Sequence, residues 1–221
     1  MNSSQTEPAP VKQYLHAFFL WIMGVMQQGG YLGIVILMAM ESSVFPVPSE
    51  LVIPPAAYLA AAEGKMSFWG VVLAGTLGSW IGASLTYLAS AKLGRPFLQR
   101  YGRFFFVSPR KLELAEVWVR EYGVAGVFFA RLLPVVRHLI GIPAGITHMN
   151  FWSFTWTTLV GSCLWCTILA WFGPQIITAE MFKDPDSMVH ALKQRTHMVA
   201  LLVGILAVGY GLMKWMAKRK K

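Results

Sequence analysis

Three long apolar segments limit the folds that this chain can adopt, and they are residues 68–91, 151–172 and 197–215. At about 1.5 Å per helical residue, each segment is long enough to cross about 30 Å of hydrocarbon as an α-helix. Apolar residues make up 56% of the 221 residues and charged residues only 13%, which is outside the range of ordinary soluble domains. The sequence therefore predicts an all-α polytopic membrane protein.

The net charge of +9 is concentrated in two basic clusters. Of the nineteen Lys and Arg residues, seven lie in residues 92–120 and five in residues 214–221. Basic segments beside apolar spans face the cytoplasm according to the positive-inside rule. We therefore predict that the linker 92–122 and the C-terminus are cytoplasmic, and that no nucleic acid is a partner.

Three further apolar stretches are too short, or too interrupted by charged residues and proline, to span a membrane. They are residues 31–40, 51–62 and 124–130. Irregular backbone at membrane depth is tolerated only where it is buried in protein or lines a wet cavity. We interpret these stretches as arms of two re-entrant hairpins, residues 30–62 and 123–147, that enclose a polar site.

The two halves of the chain resemble each other. Met66-Ser67-Phe68-Trp69 is matched by Met149-Asn150-Phe151-Trp152, and each motif follows a predicted hairpin and begins a predicted span. The charge distribution places the openings of the two hairpins on opposite faces of the membrane. Interrupted segments in corresponding places of two halves are typical of transporters built from inverted repeats. We therefore predict an inverted repeat of two re-entrant hairpins, each followed by a transmembrane helix, plus a C-terminal transmembrane helix.

This interpretation divides the chain into four regions. Residues 1–29 contain an apolar segment, 11–26, that either spans the membrane or lies in the interface. The predicted regions after it are a core at 30–173 with spans at 67–91 and 150–172, an extracytoplasmic loop at 174–196, and the C-terminal helix with its basic tail at 197–221.

The first hairpin carries two carboxylates, Glu41 and Glu50, around a proline-rich turn. Burying a carboxylate in a membrane is unfavourable by about 2.5 to 3.5 kcal/mol on insertion scales. One explanation is that these groups bind and release protons. The alternative is that they hold the hairpin together by accepting hydrogen bonds from backbone N–H groups.

The second hairpin carries two arginines, Arg131 and Arg137, on either side of Pro134. Two guanidiniums at a broken helix can clamp a phosphate or a carboxylate. The alternative is a structural ion pair with the carboxylates of the first hairpin. His138 is a candidate for proton movement, although a single histidine among apolar residues is more often a hydrogen-bonding structural residue. No grouping of His and Cys has the spacing of metal ligands.

Three motifs together resemble the DedA family of bacterial inner-membrane proteins, part of the wider group that shares the SNARE-associated or VTT domain. The motifs are Glu41 with Phe45-Pro46-Val47-Pro48-Ser49-Glu50, then Phe129-Ala130-Arg131-Leu132-Leu133-Pro134-Val135-Val136-Arg137, then Ile142-Pro143-Ala144-Gly145 with Met149 before Phe151. The resemblance covers about residues 30–173.

The resemblance implies a protein of the inner membrane that is linked to the proton-motive force and to envelope lipids. Its members are similar to transporters that return undecaprenyl phosphate across the membrane, and others are tied to phosphatidylethanolamine. The site residues implied are Arg131 and Arg137 for the substrate phosphate and Glu41 and Glu50 for proton coupling, with His138 and Ser49 as accessory candidates. Some members have Pro-Gly-Asp where this chain has Pro48-Ser49-Glu50, which leaves the lipid open.

We therefore expect a proton-coupled flippase for undecaprenyl phosphate, with membrane lipids, the lipid phosphate and protons as partners. We expect neither a cofactor nor an enzymatic activity, because a lipid phosphatase would need an activated nucleophile that Pro48-Ser49-Glu50 does not provide. The alternatives are a phosphatidylethanolamine transporter or scramblase and, from another class, a membrane structural or assembly factor. The sequence leaves the oligomeric state open, a homo-oligomer included.

Overall fold

The computed structural model describes residues 10–43, 48–64, 66–101, 109–133 and 136–176. All regular secondary structure in these ranges is helical, as predicted. The helices are α1 (Pro10–Glu41), α2 (Ile53–Glu63), α3 (Phe68–Tyr101), α4 (Pro109–Arg131), α5 (Gly141–Ile146) and α6 (Phe151–Ile176), with a 3-10 turn at Ser49–Leu51. The predicted C-terminal helix and nearly all of the predicted extracytoplasmic loop lie outside the described residues.

Three of the described helices are long and apolar enough to cross a membrane. The segments are Ala17–Glu41 in α1, Phe68–Gly94 in α3 and Phe151–Gln175 in α6. The second and third coincide with predicted spans. The first contains most of the segment 11–26 and all of the segment 31–40, which lie on either side of a break at Gly30. Each was predicted to be short for a span, whereas together their apolar length is sufficient.

Helices α1 and α4 each contain one glycine with a non-helical backbone. Gly30 has φ 53° and ψ −129°, and Gly123 has φ 52° and ψ −128°. Residues with a Cβ rarely adopt a positive φ, whereas glycine does so readily. Each helix is therefore divided into two segments. The break at Gly30 separates the two apolar segments of α1, and the break at Gly123 follows the predicted linker.

The long helices α3 and α6 connect two hydrophobic clusters. The first cluster contains residues of α1 and α2 together with Val71 of α3 and Trp165 of α6. The second contains residues of α4 and the segment after it, together with Ala83 of α3 and Phe154 of α6. Because α3 passes from the first cluster to the second and α6 from the second to the first, the two helices run in opposite directions.

A GxxxG spacing on α3 places this helix directly against the second segment of α1. A Cβ at Gly78 would lie 2.4 Å from the carbonyl oxygen of Val35, and a Cβ at Gly82 would lie 2.2 Å from that of Ala39. These distances leave no room for any side chain. Small residues at such a spacing allow two helix backbones to approach closely in a membrane protein. The contact fixes the end of α1, and therefore Glu41, against the rest of the fold.

Candidate functional site

Glu41 lies at the centre of the candidate site. It is the last residue of α1, and its side chain is only 1% exposed. Its Oε1 atom accepts a hydrogen bond of 3.1 Å from the backbone N–H of Ser49 and another from Nη2 of Arg137. Arg137 is 96 residues further along the chain. The Glu41 carboxylate therefore bonds to Ser49 within the first predicted hairpin and pairs with an arginine of the second predicted hairpin.

Arg137 lies in the segment between α4 and α5, and it is buried. Besides its ion pair with Glu41, its guanidinium carbon lies 5.2 Å from the centroid of the Trp165 ring. A guanidinium over the face of an indole is stabilised by the negative charge density of the ring. Two neighbours thus compensate the charge of Arg137, namely an anion from α1 and an aromatic ring from α6.

Ser49 and Trp165 complete this network. Ser49 is fully buried, and the indole Nε1–H of Trp165 donates a hydrogen bond of 3.2 Å to its Oγ atom. Trp165 therefore contacts both predicted hairpins at once, through Ser49 and through Arg137. Trp165 could not be predicted as a site residue, because a tryptophan inside an apolar span carries no sequence signal that distinguishes it from a packing residue.

Arg131 occupies a different environment from Arg137. It is the last residue of α4, it is buried, and its guanidinium carbon lies 5.7 Å from the centroid of the Phe154 ring. Its Nε atom makes no hydrogen bond, and no ion pair joins it to any other residue that the structure describes. Arg131 is close enough to Arg137 and Glu41 for their charges to interact. The two arginines therefore contribute to one electrostatic site, but only Arg137 has a counterion there.

The two other titratable residues predicted for the site, His138 and Glu50, lie in different surroundings. Nδ1 of His138 lies 3.6 Å from Oε1 of Glu41, within reach of an ion pair when the imidazole is protonated, and its side chain is 30% exposed. Glu50 lies in the 3-10 turn and is partly exposed, and within the described ranges no ion pair or hydrogen bond of its carboxylate is found. The structure therefore brings Glu41, Ser49, Arg137 and His138 together, with Arg131 nearby, while Glu50 lies outside this network.

The described residues contain no group of three or more His, Cys, Asp and Glu side chains that could hold a metal ion. Cys163 and Cys166 in α6 are both free, and Cys166 is buried. The chemistry of the site is therefore that of two guanidiniums, one buried carboxylate, one imidazole and hydroxyl groups. Such a set can bind an oxyanion and exchange protons.

The fold and this site define a class: an α-helical, multi-pass membrane protein with a buried, charged site between its helices. Comparison with known proteins gives the family. A family model described as the VTT domain matches residues 47–175, which is more than half of the chain. The chain belongs to this family and is a DedA-family protein. The matched range contains all the candidate site residues except Glu41.

Several curated relatives cover most of the chain. Undecaprenyl phosphate transporter A of Bacillus subtilis is 36% identical over 147 residues, which is 66% of this chain and 72% of the relative. Undecaprenyl phosphate transporter A of Staphylococcus aureus is 31% identical over 87% of this chain and 93% of its own length. A protein of Lactococcus lactis subsp. cremoris named alkaline phosphatase-like protein is 29% identical over 90% of this chain and 92% of its own length. No solved structure gives a significant match.

Proposed function

We propose that this protein is a lipid-phosphate transporter of the bacterial cytoplasmic membrane and that undecaprenyl phosphate is its substrate. The observation that carries the proposal is the charge balance of the buried site, where the two guanidiniums of Arg131 and Arg137 lie near a single buried carboxylate, Glu41, which pairs with Arg137 alone. A surplus buried cation at membrane depth is unfavourable unless an anion joins it during the working cycle. Guanidinium groups suit phosphate because their N–H donors pair with two of its oxygens.

Two relatives support the choice of lipid. Both are named undecaprenyl phosphate transporter A, and one of them aligns with 87% of this chain. A lipid with a single terminal phosphate offers the site one compact anionic group, while its prenyl tail stays in the bilayer. A phospholipid such as phosphatidylethanolamine is the alternative substrate, and its phosphate carries two ester substituents that reduce the number of free oxygens.

The proposed architecture of the core, residues 30–173, is an inverted repeat of two re-entrant hairpins, 30–62 and 123–147. Three observations support it. Gly30 and Gly123 are the first residues of the two hairpins, and their backbone angles agree within 1°. Each hairpin is followed by a long apolar helix, α3 or α6. These two helices run in opposite directions between the two clusters, as an inverted repeat requires.

The basic segments 92–120 and 214–221 support the orientation, with the linker and the C-terminus in the cytoplasm. A cysteine introduced near residue 102 or 220 should be protected from an impermeant thiol reagent added outside, whereas one near residue 184 should react. Labelling near residue 102 from outside would contradict both the orientation and the inverted repeat.

Proton coupling follows from the competition for Arg137. While Glu41 is ionised, it holds Arg137 in an internal ion pair. A proton that binds to the carboxylate removes its negative charge and releases the guanidinium for a phosphate. Loss of that proton restores the internal pair and displaces the lipid. The lipid phosphate and the Glu41 carboxylate therefore compete for Arg137, and protonation of Glu41 determines which of them binds it.

The other candidate residues have supporting roles in this cycle. His138 lies beside Glu41 and is partly exposed, which suits a group that passes protons between the buried carboxylate and water. Glu50 lies at the edge of the site, where it can exchange protons with the same water. The backbone of Ser49 holds Glu41 in place through its N–H group.

The name of the lactococcal relative raises a phosphatase as a rival. A phosphatase acting through Ser49 would need a base to activate the hydroxyl. The polar side chain that the structure places on Ser49 Oγ is the indole of Trp165, which is a donor only. This contact favours a structural role for the hydroxyl and therefore favours transport over hydrolysis.

The test is transport by the purified, full-length protein in proteoliposomes. Undecaprenyl phosphate and phosphatidylethanolamine are compared as substrates, with and without a pH gradient, and release of inorganic phosphate is measured in parallel. We expect gradient-dependent movement of undecaprenyl phosphate without phosphate release. Equal movement of both lipids without a gradient would indicate a scramblase, and phosphate release would indicate an enzyme.

A further inference from the structure

We propose that Thr158, in the first half of α6, forms a phosphate-binding subsite together with Arg131, and that this subsite takes the terminal phosphate before Arg137 is released. The proposal rests on the proposed function and adds a residue to its site. The chemistry recognised is a phosphomonoester or phosphate oxyanion.

The side chain of Arg131 follows the surface of α6. At its base, a Cβ built on Gly161 would lie 2.9 Å from the Cβ of Arg131. At its tip, the guanidinium carbon lies 5.7 Å from the centroid of Phe154. Thr158 is four residues after Phe154 and three before Gly161, so all three lie on the same helix face. Thr158 therefore lies alongside the stretch of the Arg131 side chain that leads to Nε.

Both polar groups on this stretch are buried and lack partners. Thr158 is 0% exposed, and neither its Oγ1 atom nor Nε of Arg131 makes a hydrogen bond with any residue in the described part of the chain. Native proteins leave few buried polar atoms unpaired, because removing such a group from water without a new partner is unfavourable. Two unpaired donors on the same stretch of one helix face indicate a shared ligand.

Thr158 differs from the other threonines of α3 and α6. Four of them donate a hydrogen bond to the carbonyl oxygen four residues earlier, and these are Thr76, Thr86, Thr157 and Thr167. This bond is the ordinary way in which a helix satisfies a buried threonine hydroxyl. Thr158 makes no such bond, although the neighbouring Thr157 does so at 2.9 Å. The hydroxyl of Thr158 is therefore available to a ligand.

A third hydroxyl lies at the same level of the fold. Ser84 is buried, and its Oγ atom also lacks a hydrogen bond among the described residues. On the same face of α3, Trp80 contacts Thr155 through a hydrogen bond and Tyr87 stacks on Phe154 at 4.8 Å. Ser84 lies between these two contacts and therefore faces α6 near Phe154. Three elements, α3, α4 and α6, contribute unpaired donors to one buried region.

The state of Arg137 gives the order of binding. In this structure Arg137 is held by Glu41, whereas Arg131 has no counterion among the described residues. An arriving phosphate therefore meets Arg131 and Thr158 first. The transfer of Arg137 from Glu41 to the phosphate is the second step, and it depends on protonation of the carboxylate.

The test measures binding of farnesyl phosphate to the purified full-length protein by calorimetry, with farnesol and sodium phosphate as comparison ligands. Thr158→Val keeps the shape and removes the hydroxyl, Thr158→Ser keeps the hydroxyl, and Thr157→Val removes a hydroxyl that is already satisfied. We expect Thr158→Val to weaken binding of farnesyl phosphate about tenfold, because a hydrogen bond to a charged group is lost. Thr158→Ser and Thr157→Val should bind like the parent, and farnesol binding should not change.

The comparison ligands separate the sources of the phosphate. Binding of sodium phosphate with the same tenfold loss in Thr158→Val would assign the subsite to phosphate from either source. No binding of sodium phosphate would assign it to lipid phosphate alone.

Three results would overturn the proposal. Parental affinity of Thr158→Val, in a preparation where Arg131→Lys binds more weakly, would remove Thr158 from the site and leave the proposed function standing. Parental affinity of both variants would reject the subsite and the proposed function together. An equal loss in Thr158→Val and Thr157→Val would show an effect of helix packing and not of a ligand.

Discussion

Replacing Glu41 by glutamine separates binding from proton coupling. The amide has nearly the same shape as the carboxylate but carries no charge and takes up no proton, so it resembles the protonated state permanently. Its oxygen can still accept the hydrogen bonds from the backbone of Ser49 and from Arg137 that Oε1 of Glu41 accepts. The variant therefore tests the charge and the titration of Glu41 while keeping most of its contacts.

The size of the effect follows from these two bonds. A hydrogen bond to a charged group contributes about 1.5 to 3 kcal/mol, and a neutral one about 0.5 to 1.5 kcal/mol. Two weakened bonds predict that Glu41→Gln lowers the stability by about 2 kcal/mol. Glu41→Ala leaves the buried Arg137 without its counterion and should lower the stability by about 3 to 5 kcal/mol. The phosphate no longer competes with a carboxylate, so we expect farnesyl phosphate to bind about tenfold more tightly to Glu41→Gln.

The assay measures three properties of each purified variant: thermal unfolding in detergent, affinity for farnesyl phosphate, and uptake of undecaprenyl phosphate into proteoliposomes driven by a pH gradient. Glu41→Gln should bind but show no uptake driven by the gradient. Glu50→Gln is the comparison, because Glu50 is partly exposed and outside the network; its stability should change by less than about 0.5 kcal/mol.

Gradient-driven uptake by Glu41→Gln at the parental rate would exclude Glu41 as the coupling residue, since a group that cannot titrate cannot couple transport to protons. Loss of uptake only in Glu50→Gln would assign the coupling to that residue. Loss of Glu41→Gln protein from the membrane would show that the pair with Arg137 is structural.

Two further predictions concern the arginines and the helix breaks. Arg131→Lys and Arg137→Lys should each reduce transport at least tenfold with little change in melting temperature, because an ammonium cannot pair with two phosphate oxygens at once. Full transport activity of both variants would show that the arginines act only through their charge. Gly30→Ala and Gly123→Ala should each lower the stability by about 1 to 3 kcal/mol, because a residue with a Cβ is strained at their positive φ. Gly29→Ala, in a helical position with no atom within 4 Å of the new Cβ, is the matched control for Gly30→Ala, and thermal unfolding compares all three.

Local sequence signals predicted the elements of the core well. The two long helices that begin at Phe68 and Phe151 follow from unbroken apolar runs whose length matches the hydrocarbon thickness. The division of α1 could also be predicted, because the residues around Gly30 separate the apolar segments 11–26 and 31–40. The direction of the second part relative to the first was not predicted, since the path of a chain after such a break depends on what packs against it.

The pairing within the site could be predicted only as a set of alternatives. The sequence offered two carboxylates for two arginines, and the structure forms one pair, Glu41 with Arg137. Which carboxylate is buried depends on the packing of α1 against α3, a contact between distant segments. The contacts of Phe154 and Trp165 in α6 with the two arginines could not be predicted, because aromatic residues inside an apolar span are equally typical of packing.

The charges of the buried site predict how many protons accompany each lipid. Arg131 and Arg137 with ionised Glu41 sum to one positive charge, if His138 is counted as neutral. A phosphomonoester dianion brings this sum to one negative charge, and one added proton makes it neutral, whether the proton lies on Glu41 or on the phosphate. Neutral assemblies are favoured at low dielectric, so lipid and proton should enter together, one of each. Because the second pKa of a phosphomonoester is about 6, binding of farnesyl phosphate at pH 8 should take up about one proton from solution, and at pH 5 close to none. Calorimetry in two buffers with different enthalpies of ionisation measures this number; binding at pH 8 without proton uptake would mean that the site accepts a net negative charge, and the coupling argued from Glu41 would fail.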